Sequence, residues 1–374
     1  MKIFAFADLH LDSAFSSYPE NERAERKEIL MQVFSKICNE CRTEKADLLL
    51  IAGDLFDTPT PSPSCSDFVI SEFKALGINV VIAPGNHDYY IPDGIYDKMP
   101  DNVYVFKKEE LSTISINELS LSIDGFAYLS DNHAPLIEKS ENASESDNVR
   151  ILLAHTDINS KSTPYAYISK EYFSASDYIF SFLGHVHTDT GVYSAGNVQY
   201  GYSGVPQGRS IDEPIDGGIR KIEIKNGSII SNDIVSVSEW KNLVFEIPID
   251  NAVSDYEVIR NISDVISVSG IEKMDILRII LVGEHGFYYT PNESFILKQT
   301  KKLLSNVNVS LKNNSVPQID RDELLSDPSI IGVLYRTLFE NEEYVEKYTV
   351  DQRTRAFRLA LSAMRGDQLN YENI

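Results

Sequence analysis

Val80-Val81-Ile82-Ala83-Pro84-Gly85-Asn86-His87-Asp88 is the stretch of sequence that decides the fold. Its apolar first half predicts a buried strand, and Pro84 and Gly85 end that strand and turn the backbone. An amide, an imidazole and a carboxylate therefore follow directly from the end of a strand, which is where α/β folds keep their chemistry. The same arrangement, an apolar run ended by polar side chains, recurs at four other places in the chain.

Each of the four other runs also ends in side chains that can bind a metal ion. The runs are residues 3–7, 48–52, 151–154 and 178–183, followed in turn by Asp8 and His10, by Asp54, by His155, and by His185 and His187. Alternation along an extended backbone is expected to turn Asp8 and His10 to one side, and His185 and His187 likewise. Five of the seven histidines lie at these strand ends. Packing alone does not explain that convergence, so it predicts a functional site.

The chemistry of the site follows from the types of side chain. The candidate metal ligands are Asp8, His10, Asp54, Asn86, His155, His185 and His187. Carboxylate, imidazole and amide groups without thiolate suit Mn, Fe or Zn rather than a structural zinc. This set is too large for one ion and about right for two, so we expect two divalent ions, with Mn as the best activator. A bridging carboxylate can hold two ions roughly 3.5–4 Å apart, a spacing used for in-line phosphoryl displacement. His87, next to Asn86, could protonate a leaving oxygen.

Length and composition indicate a soluble protein of two or more domains. The chain has 374 residues, of which 43% are hydrophobic, enough for a large core. Met1-Lys2 leads directly into a predicted strand, nothing there resembles a signal peptide, and no apolar stretch is long enough to span a bilayer. A polar stretch at 138–148 predicts a mobile loop.

The three cysteines point to a reducing compartment, and we expect a cytoplasmic protein. Cys38 and Cys41 form a C-x-x-C on a helix predicted over residues 20–44. Because no second cysteine pair or adjacent histidine completes a zinc site, core packing is the favoured interpretation.

The net charge of −22 limits how the protein could handle nucleic acid. A chain of this charge repels polyanions at long range, whereas non-specific duplex binding draws on Lys and Arg contacts to phosphate. If the substrate is nucleic acid, a local basic groove, bound metal ions or a partner must supply the contacts.

The motifs resemble the calcineurin-like metallophosphoesterases. The pattern Asp8-x-His10, Gly53-Asp54-x-x-Asp57, Gly85-Asn86-His87-Asp88, His155 and Gly184-His185-x-His187 matches that superfamily in full and in order. The resemblance implies a four-layer α/β/β/α core and a two-metal phosphoesterase. It also implies that one ion takes Asp8, His10, Asp54 and His187, and that the other takes Asp54, Asn86, His155 and His185. Asp54 would bridge, and His87, steadied by Asp88, would be the catalytic acid.

A narrower resemblance covers roughly residues 1–320. The stretches 6–13 (FADLHLDS) and 202–209 (YSGVPQGR) look like the DNA repair exonucleases of the SbcD and YhaO type. Some double-strand-break nucleases of this group have a histidine where this chain has Asp57. That histidine is linked to positioning the scissile strand, so its replacement leaves the mode of cleavage open. Asp57 could instead orient a metal ligand. A phosphatase or phosphodiesterase for small molecules, and a protein acting mainly as a scaffold, are the alternatives.

The sequence predicts three segments: a metallophosphoesterase domain at 1–240, a small α+β capping domain at 241–320 and a helical C-terminal segment at 325–374. Residues 352–365 contain no acidic residue and four arginines, with Phe357 and Leu361 on one helical face. This helix could pack on its own chain. By resemblance, it could instead dock an SbcC-like coiled-coil ATPase that helps the nuclease reach DNA. A homodimer is also open, and no membrane association is expected.

Overall fold

The computed structural model describes residues 1–16, 18–131, 136–137, 148–158, 163–213, 217–272, 275–304 and 308–366. The loop predicted at 138–148 lies outside these residues except for Asn148, and so does the end of the C-terminal segment from 367 onward. The chain divides into two units, Met1–Lys241 and Asn242–Ile374. No helix in the described ranges has the length and apolarity that crossing a membrane requires.

Apolar runs of four to seven residues form most strands of the first unit. Its elements are β1 (Lys2–Phe6), α1 (Glu20–Thr43), β2 (Leu48–Ile51), α2 (Pro63–Leu76), β3 (Asn79–Ile82), β4 (Val103–Val105), β5 (Ser112–Ile116), β6 (Leu121–Gly125), β7 (Leu136–Ile137), β8 (Val149–His155), β9 (Tyr167–Ile168), α3 (Lys170–Ala175), β10 (Phe180–Gly184), β11 (Val192–Ala195), β12 (Val198–Gly201), β13 (Ile219–Lys225) and β14 (Ser228–Val235). The long helix and the strands predicted from the apolar runs are therefore present.

The strands form two six-stranded sheets with the orders β14-β13-β1-β2-β3-β4 and β11-β12-β10-β8-β6-β5. Strands β1 to β4 are parallel, as are β6, β8, β10 and β12. The five strands with polar ends are thus divided between the sheets: β1, β2 and β3 belong to one, β8 and β10 to the other. Since carboxyl ends of parallel strands share an edge, each sheet brings its polar residues to one edge.

The two sheets pack face to face, and helices cover their outer faces. One apolar cluster joins both sheets, with Leu50 and Val81 from the first and Leu153 and Phe182 from the second. On one outer side, Phe34 of α1 lies 6.5 Å from Phe6 between ring centroids. On the other outer side, residues of α3 pack against the second sheet. These layers confirm the four-layer α/β/β/α core.

Cys38 and Cys41 are both buried in the first unit. Burial raises the pKa of Cys41 to about 12, and it also raises the pKa of Cys38. Both thiols therefore stay protonated at neutral pH, which agrees with core packing rather than metal binding.

The second unit holds a small parallel sheet and a group of helices. Its elements are β15 (Asn242–Pro248), α4 (Asp255–Ile266), β16 (Ile276–Val282), β17 (Glu284–His285), α5 (Glu293–Leu303), β18 (Asn308–Asn313), β19 (Val316–Pro317), α6 (Arg321–Ser326), α7 (Ile330–Phe339), α8 (Glu342–Lys347) and α9 (Val350–Arg365). Strands β15, β16 and β18 are parallel, and α4 and α5 connect them in turn. Two successive β-α-β units therefore form the part of the cap that was predicted as α+β.

The C-terminal helix α9 packs on its own unit. Phe357 and Leu361 are buried beside Leu324 and Tyr335. Arg358 forms an ion pair with Glu284 at 2.9 Å. The apolar face of this helix is thus occupied, as the alternative of packing on its own chain expects.

Candidate metal centre

The candidate ligands follow directly from the carboxyl ends of strands in both sheets. Asp8 and His10 follow β1, Asp54 follows β2, and Asn86 and His87 follow β3. In the second sheet, His155 ends β8, and His185 and His187 follow β10. The two sheet edges bring all eight side chains into one region, although they are up to 179 residues apart in the sequence.

The backbone at these residues departs from the extended conformation expected from the sequence. Asp8, His10, Asp54 and His185 have positive φ angles of 59°, 51°, 52° and 93°. Left-handed backbone is uncommon for residues with a Cβ, and it concentrates where function demands it. The side chains converge because the chain turns sharply on leaving each strand. The expectation that simple alternation aligns them is wrong.

Glycines allow the motif loops to approach each other. Gly53 has φ of +85°, and a Cβ there would lie 2.5 Å from Nδ1 of His155. A Cβ on Gly85 would lie 2.2 Å from Oδ1 of Asp54. Both distances are shorter than non-bonded atoms tolerate, so these loops reach their native contact only without a side chain.

Potential ligand atoms meet at the centre of this region. Three groups, each with ligand atoms within 4.8 Å of one another, are Asp8, His10 and His187; His10, Asp54 and His87; and Asp8, Asp54 and His155. The Nε2 atoms of His10 and His187 are 3.3 Å apart. Oδ2 of Asp54 lies 3.6 Å from Nε2 of His10 and 3.4 Å from Nε2 of His155.

Asn86 and His185 complete the side of the centre that contains His155. Oδ1 of Asn86 lies 3.0 Å from Nε2 of His155. The rings of His155 and His185 are 5.1 Å apart between centroids. A carboxylate from Asp54 thus lies between a group with His10 and His187 and a group with His155 and Asn86.

Burial keeps most of the imidazoles in the neutral form that binds metal. It lowers the pKa of His10, with the charge of Arg209 adding to the effect, and it lowers the pKa of His155. Burial and the neighbouring His155 lower the pKa of His185 to about 3. His187 differs: burial opposes its charge, but contacts with Asp8 and Glu213 raise its pKa to about 10.

The electrostatics of the carboxylates fit a bound cation. Burial, together with the charges of Asp88 and Asp8, raises the pKa of Asp54 well above its usual value. Concentrating buried carboxylates at one point is unfavourable unless positive charge is placed among them. The neutral imidazoles and the absence of thiolates among the candidate ligands suit divalent ions. The residues present therefore fit a divalent metal centre.

Asp88 contacts the motif backbone, whereas the sequence led us to expect that it steadies His87. Its Oδ1 accepts hydrogen bonds from the amides of Gly85 (2.7 Å) and Asp54 (3.1 Å). Its Oδ2 accepts from the Phe56 amide and from the hydroxyl of Tyr96. A fully buried carboxylate with four donors has little remaining capacity for an imidazole. The expected contact is thus replaced by one that holds the loops.

The carboxylate beside the His87 ring is Asp57. Its Oδ1 lies 3.6 Å from Nδ1 of His87 and 3.0 Å from Nδ1 of His10. The His87 side chain is 46% exposed. Asp57 therefore contacts a candidate ligand, as one alternative from the sequence expected, and it also approaches the candidate acid.

Sequence reasoning assigned no role to three residues at this site. Arg209 and Glu213 contact the centre through Asp57 and His187. Tyr165 lies with its ring centroid 4.4 Å from that of His185. Arg209 stands in a motif that resembles other exonucleases, which is a usable signal. Glu213 and Tyr165 come from loops where nothing in the sequence marks them.

A cavity of about 510 Å³ lies over the centre. It is lined by residues that include Asp54, Asn86, His87, Tyr165, His185 and His187. A small phosphoester, or one nucleotide unit of a longer substrate, has a comparable volume, within the usual range of about 300–1,000 Å³ for ligand pockets. The candidate acid and the candidate bridging carboxylate face the same space.

Comparison with known proteins identifies related chains. A family model described as calcineurin-like phosphoesterase matches residues 1–189. The uncharacterized metallophosphoesterase YhaO of Bacillus subtilis is 31% identical over 263 residues, 63% of this chain and 63% of YhaO. The chain therefore spans less than two thirds of YhaO.

Two further relatives carry names that refer to DNA repair or nuclease activity. The DNA double-strand break repair protein Mre11 of Methanococcus maripaludis is 23% identical over 380 residues, 93% of this chain and 99% of that protein. The SbcD component of the nuclease SbcCD of Staphylococcus epidermidis is 23% identical over 282 residues, 65% of this chain and 71% of that protein.

Proposed function

The chain belongs to the calcineurin-like phosphoesterase family, and from this premise we propose that it is a two-metal phosphodiesterase that cleaves DNA. Members of this family are hydrolases of phosphoesters that bind divalent metal ions. The finer assignment is that Asp8, His10, Asp54 and His187 hold one ion, and that Asp54, Asn86, His155 and His185 hold the other. Manganese is the proposed metal.

The position of Asp54 is the observation that carries this proposal. One carboxylate oxygen lies between Nε2 of His10 and Nε2 of His155, at 3.6 and 3.4 Å. A carboxylate in that position can serve both groups of ligands. Two ions held in this way polarise a phosphoryl group and lower the pKa of a coordinated water.

The protein's own residues orient and protonate the substrate. His87 is the proposed acid: its half-exposed ring lines the cavity and could donate a proton to the leaving oxygen. Asp57, 3.6 Å from Nδ1 of His87, is placed to hold that ring and favour its protonated form. Tyr165 offers an aromatic wall on which a base or another planar group could stack.

The case for DNA draws on the relatives named for break repair and nuclease activity. A second candidate, a phosphodiesterase for small molecules, is favoured by one observation: none of the described residues lining the cavity is Lys or Arg. With a net charge of −22, the isolated chain should bind duplex DNA weakly and lose that binding steeply with added salt.

The test compares two substrates with one protein. End-labelled duplex and single-stranded DNA, and bis-p-nitrophenyl phosphate, are incubated with the Mn-loaded wild type, with Asp54→Asn and with EDTA. DNA products and diester hydrolysis that both depend on Asp54 support the DNA nuclease. Hydrolysis of the diester alone supports the second candidate. Elemental analysis showing at most one ion per chain at saturating Mn contradicts the two-metal centre.

We also propose three functional segments: catalytic residues 1–240, a substrate-facing cap at 241–320, and a docking segment at 325–374 for a coiled-coil ATPase. The relative from Staphylococcus epidermidis is named as one part of a two-part nuclease, which supports a partner. Because the apolar face of α9 is buried, the docking surface is assigned to α7, where Ile330 is 70% and Val333 50% exposed. The three free cysteines agree with a cytoplasmic location.

Substitution on α7 tests docking without deleting packed helices. Ile330→Asp with Val333→Asp should abolish co-purification with an SbcC-like ATPase and leave hydrolysis of the small diester unchanged. Thr337→Asp on the same helix, whose hydroxyl donates to the Val333 carbonyl, is the matched control. Retained capture by the double variant contradicts this docking surface. Size-exclusion chromatography with light scattering decides whether the chain also forms a homodimer.

A further inference from the structure

Two carboxylates stand behind the histidines on one side of the metal centre. Oδ1 of Asp57 lies 3.0 Å from Nδ1 of His10, and Oε1 of Glu213 lies 3.0 Å from Nδ1 of His187. The opposite ring atoms, the two Nε2, approach each other to 3.3 Å at the centre. A carboxylate on Nδ1 fixes the tautomer and the orientation of the ring and makes Nε2 a stronger ligand.

Arg209 connects these two carboxylates. Its Nη1 donates to Oδ1 of Asp57 at 2.9 Å, and its Nη2 donates to Oε1 of Glu213 at 3.1 Å. Its backbone amide also donates to Oε2 of Glu213. Only 17% of the Arg209 side chain is exposed, so water screens these ion pairs weakly. The planar guanidinium presents its donors in a fixed fork, which a lysine could not reproduce.

The charge states agree with this arrangement. Burial alone would raise the pKa of Glu213, but the hydrogen bond with His187 and the charge of Arg209 lower it to about 2. Glu213 is therefore an anion at neutral pH, and it accepts from both the imidazole and the guanidinium. Without Arg209, two partly buried carboxylates would face each other across the two histidines with no cation to balance them.

The other side of the centre is supported differently. Nδ1 of His155 lies 2.9 Å from the backbone carbonyl oxygen of Ala52, and its Nε2 faces Asn86. A backbone carbonyl is fixed by the sheet and needs no side chain to hold it. The two halves of the centre thus differ in how their histidines are oriented.

We propose that Arg209 is a positioning residue that holds Asp57 and Glu213 against His10 and His187, and so sets the affinity of that half of the centre for its ion alone. This inference rests on the two-metal centre proposed above. It predicts that the two ions respond unequally to substitutions that touch no metal ligand.

The experiment measures Mn²⁺ binding at neutral pH by electron paramagnetic resonance of the free ion. Arg209→Gln and Glu213→Gln should each weaken one of the two Mn²⁺ sites about 10- to 100-fold, the usual effect of losing a residue that orients a ligand. The other site should change less than about threefold. Arg209→Lys should be intermediate, since it keeps the charge but loses the fork. Raising the Mn²⁺ concentration should restore diester hydrolysis in all three variants.

Arg150 provides a matched control. It also joins two carboxylates, Asp124 and Asp177, and its side chain is 13% exposed, but no metal-type histidine stands behind them. Arg150→Gln should leave both Mn²⁺ affinities unchanged even if it lowers the melting temperature. Circular dichroism in EDTA confirms that each variant is folded before the titration.

Each outcome of the titration bears on one of the two claims. Equal weakening of both sites in Arg209→Gln, or no weakening of either, overturns the role of Arg209 while two ions in the wild type uphold the metal centre. Wild-type protein that binds fewer than two ions overturns the centre itself. The double variant Arg209→Gln with Glu213→Gln should lose little more affinity than either single variant, because both act through His187. Additive losses contradict that coupling.

Discussion

Asp88 holds the backbone of Asp54: its Oδ1 accepts a hydrogen bond of 3.1 Å from the Asp54 amide across 34 residues of sequence. The same oxygen accepts from the Gly85 amide. One carboxylate thus ties the loop after β3 to the loop after β2. The position of the candidate bridging carboxylate therefore depends on a residue that does not face the cavity.

Asp88→Asn tests this contact. An amide in place of the carboxylate presents an NH₂ to backbone donors, so at least one of them loses its acceptor. We expect the free energy of unfolding in EDTA to fall by about 1–3 kcal/mol, the cost of an unsatisfied buried donor, and Mn²⁺ binding to weaken as well. Urea titration and Mn²⁺ titration measure the two effects. A variant of unchanged stability with only a lower turnover would instead support the expected action of Asp88 on His87.

His87→Ala tests the proposed acid. His87 is half-exposed and lies beside the centre rather than at its middle, so its removal should leave both ions bound. Turnover of the diester should fall by roughly two to four decades, the usual contribution of general acid catalysis. Steady-state kinetics and elemental analysis on the same sample give both quantities. Metal loss in proportion to activity would make His87 a ligand and contradict the assignment.

Gly85→Ala tests the close approach of the motif loops. A Cβ here would lie 2.2 Å from Oδ1 of Asp54, so either the loop or the carboxylate must move. We expect activity, measured as diester hydrolysis, to fall about a hundredfold, since a displacement of about 1 Å in a catalytic group can have that effect.

Gly227→Ala is the control for the glycine substitution. Gly227 also has a positive φ, +73°, but a Cβ there has open space around it. It should cost about 1–2 kcal/mol of stability through backbone strain alone and leave activity unchanged. Equal activity in both alanine variants would show that the loops tolerate the added atom.

Much of the site could be predicted because apolar runs mark strands and the residues that follow them stand out. Asn86 and His155 were found in this way, in two different sheets. The left-handed backbone at Asp8 and His10 could not be predicted, because both residue types also occupy extended backbone. Arg209 reaches Asp57 across 152 residues, and no local pattern encodes such a contact. Asp88 was assigned to its sequence neighbour, whereas tertiary structure directs it to other backbone amides.

Asp54→Asn should make the metal-free protein more stable and the Mn-bound protein less stable than the wild type. Burial and the charges of Asp88 and Asp8 raise the pKa of Asp54 in the folded chain. A raised pKa means that the stability Asp54 contributes is present at low pH and is lost as pH rises through the folded-state value. Asparagine has no such charge, and its carbonyl oxygen can still accept the hydrogen bond that the His87 amide donates to Oδ1.

Thermal denaturation at pH 5 and pH 8 checks this sign. In EDTA, the difference in melting temperature in favour of Asp54→Asn should grow from pH 5 to pH 8. With Mn²⁺ at about 100 times its Kd, the wild type should gain about 2.7 kcal/mol from binding, and the order should reverse because the variant binds the ions weakly. If the wild type is the more stable chain in EDTA at pH 8, the charge of Asp54 is not strained by its neighbours. The cation would then not be needed to balance it.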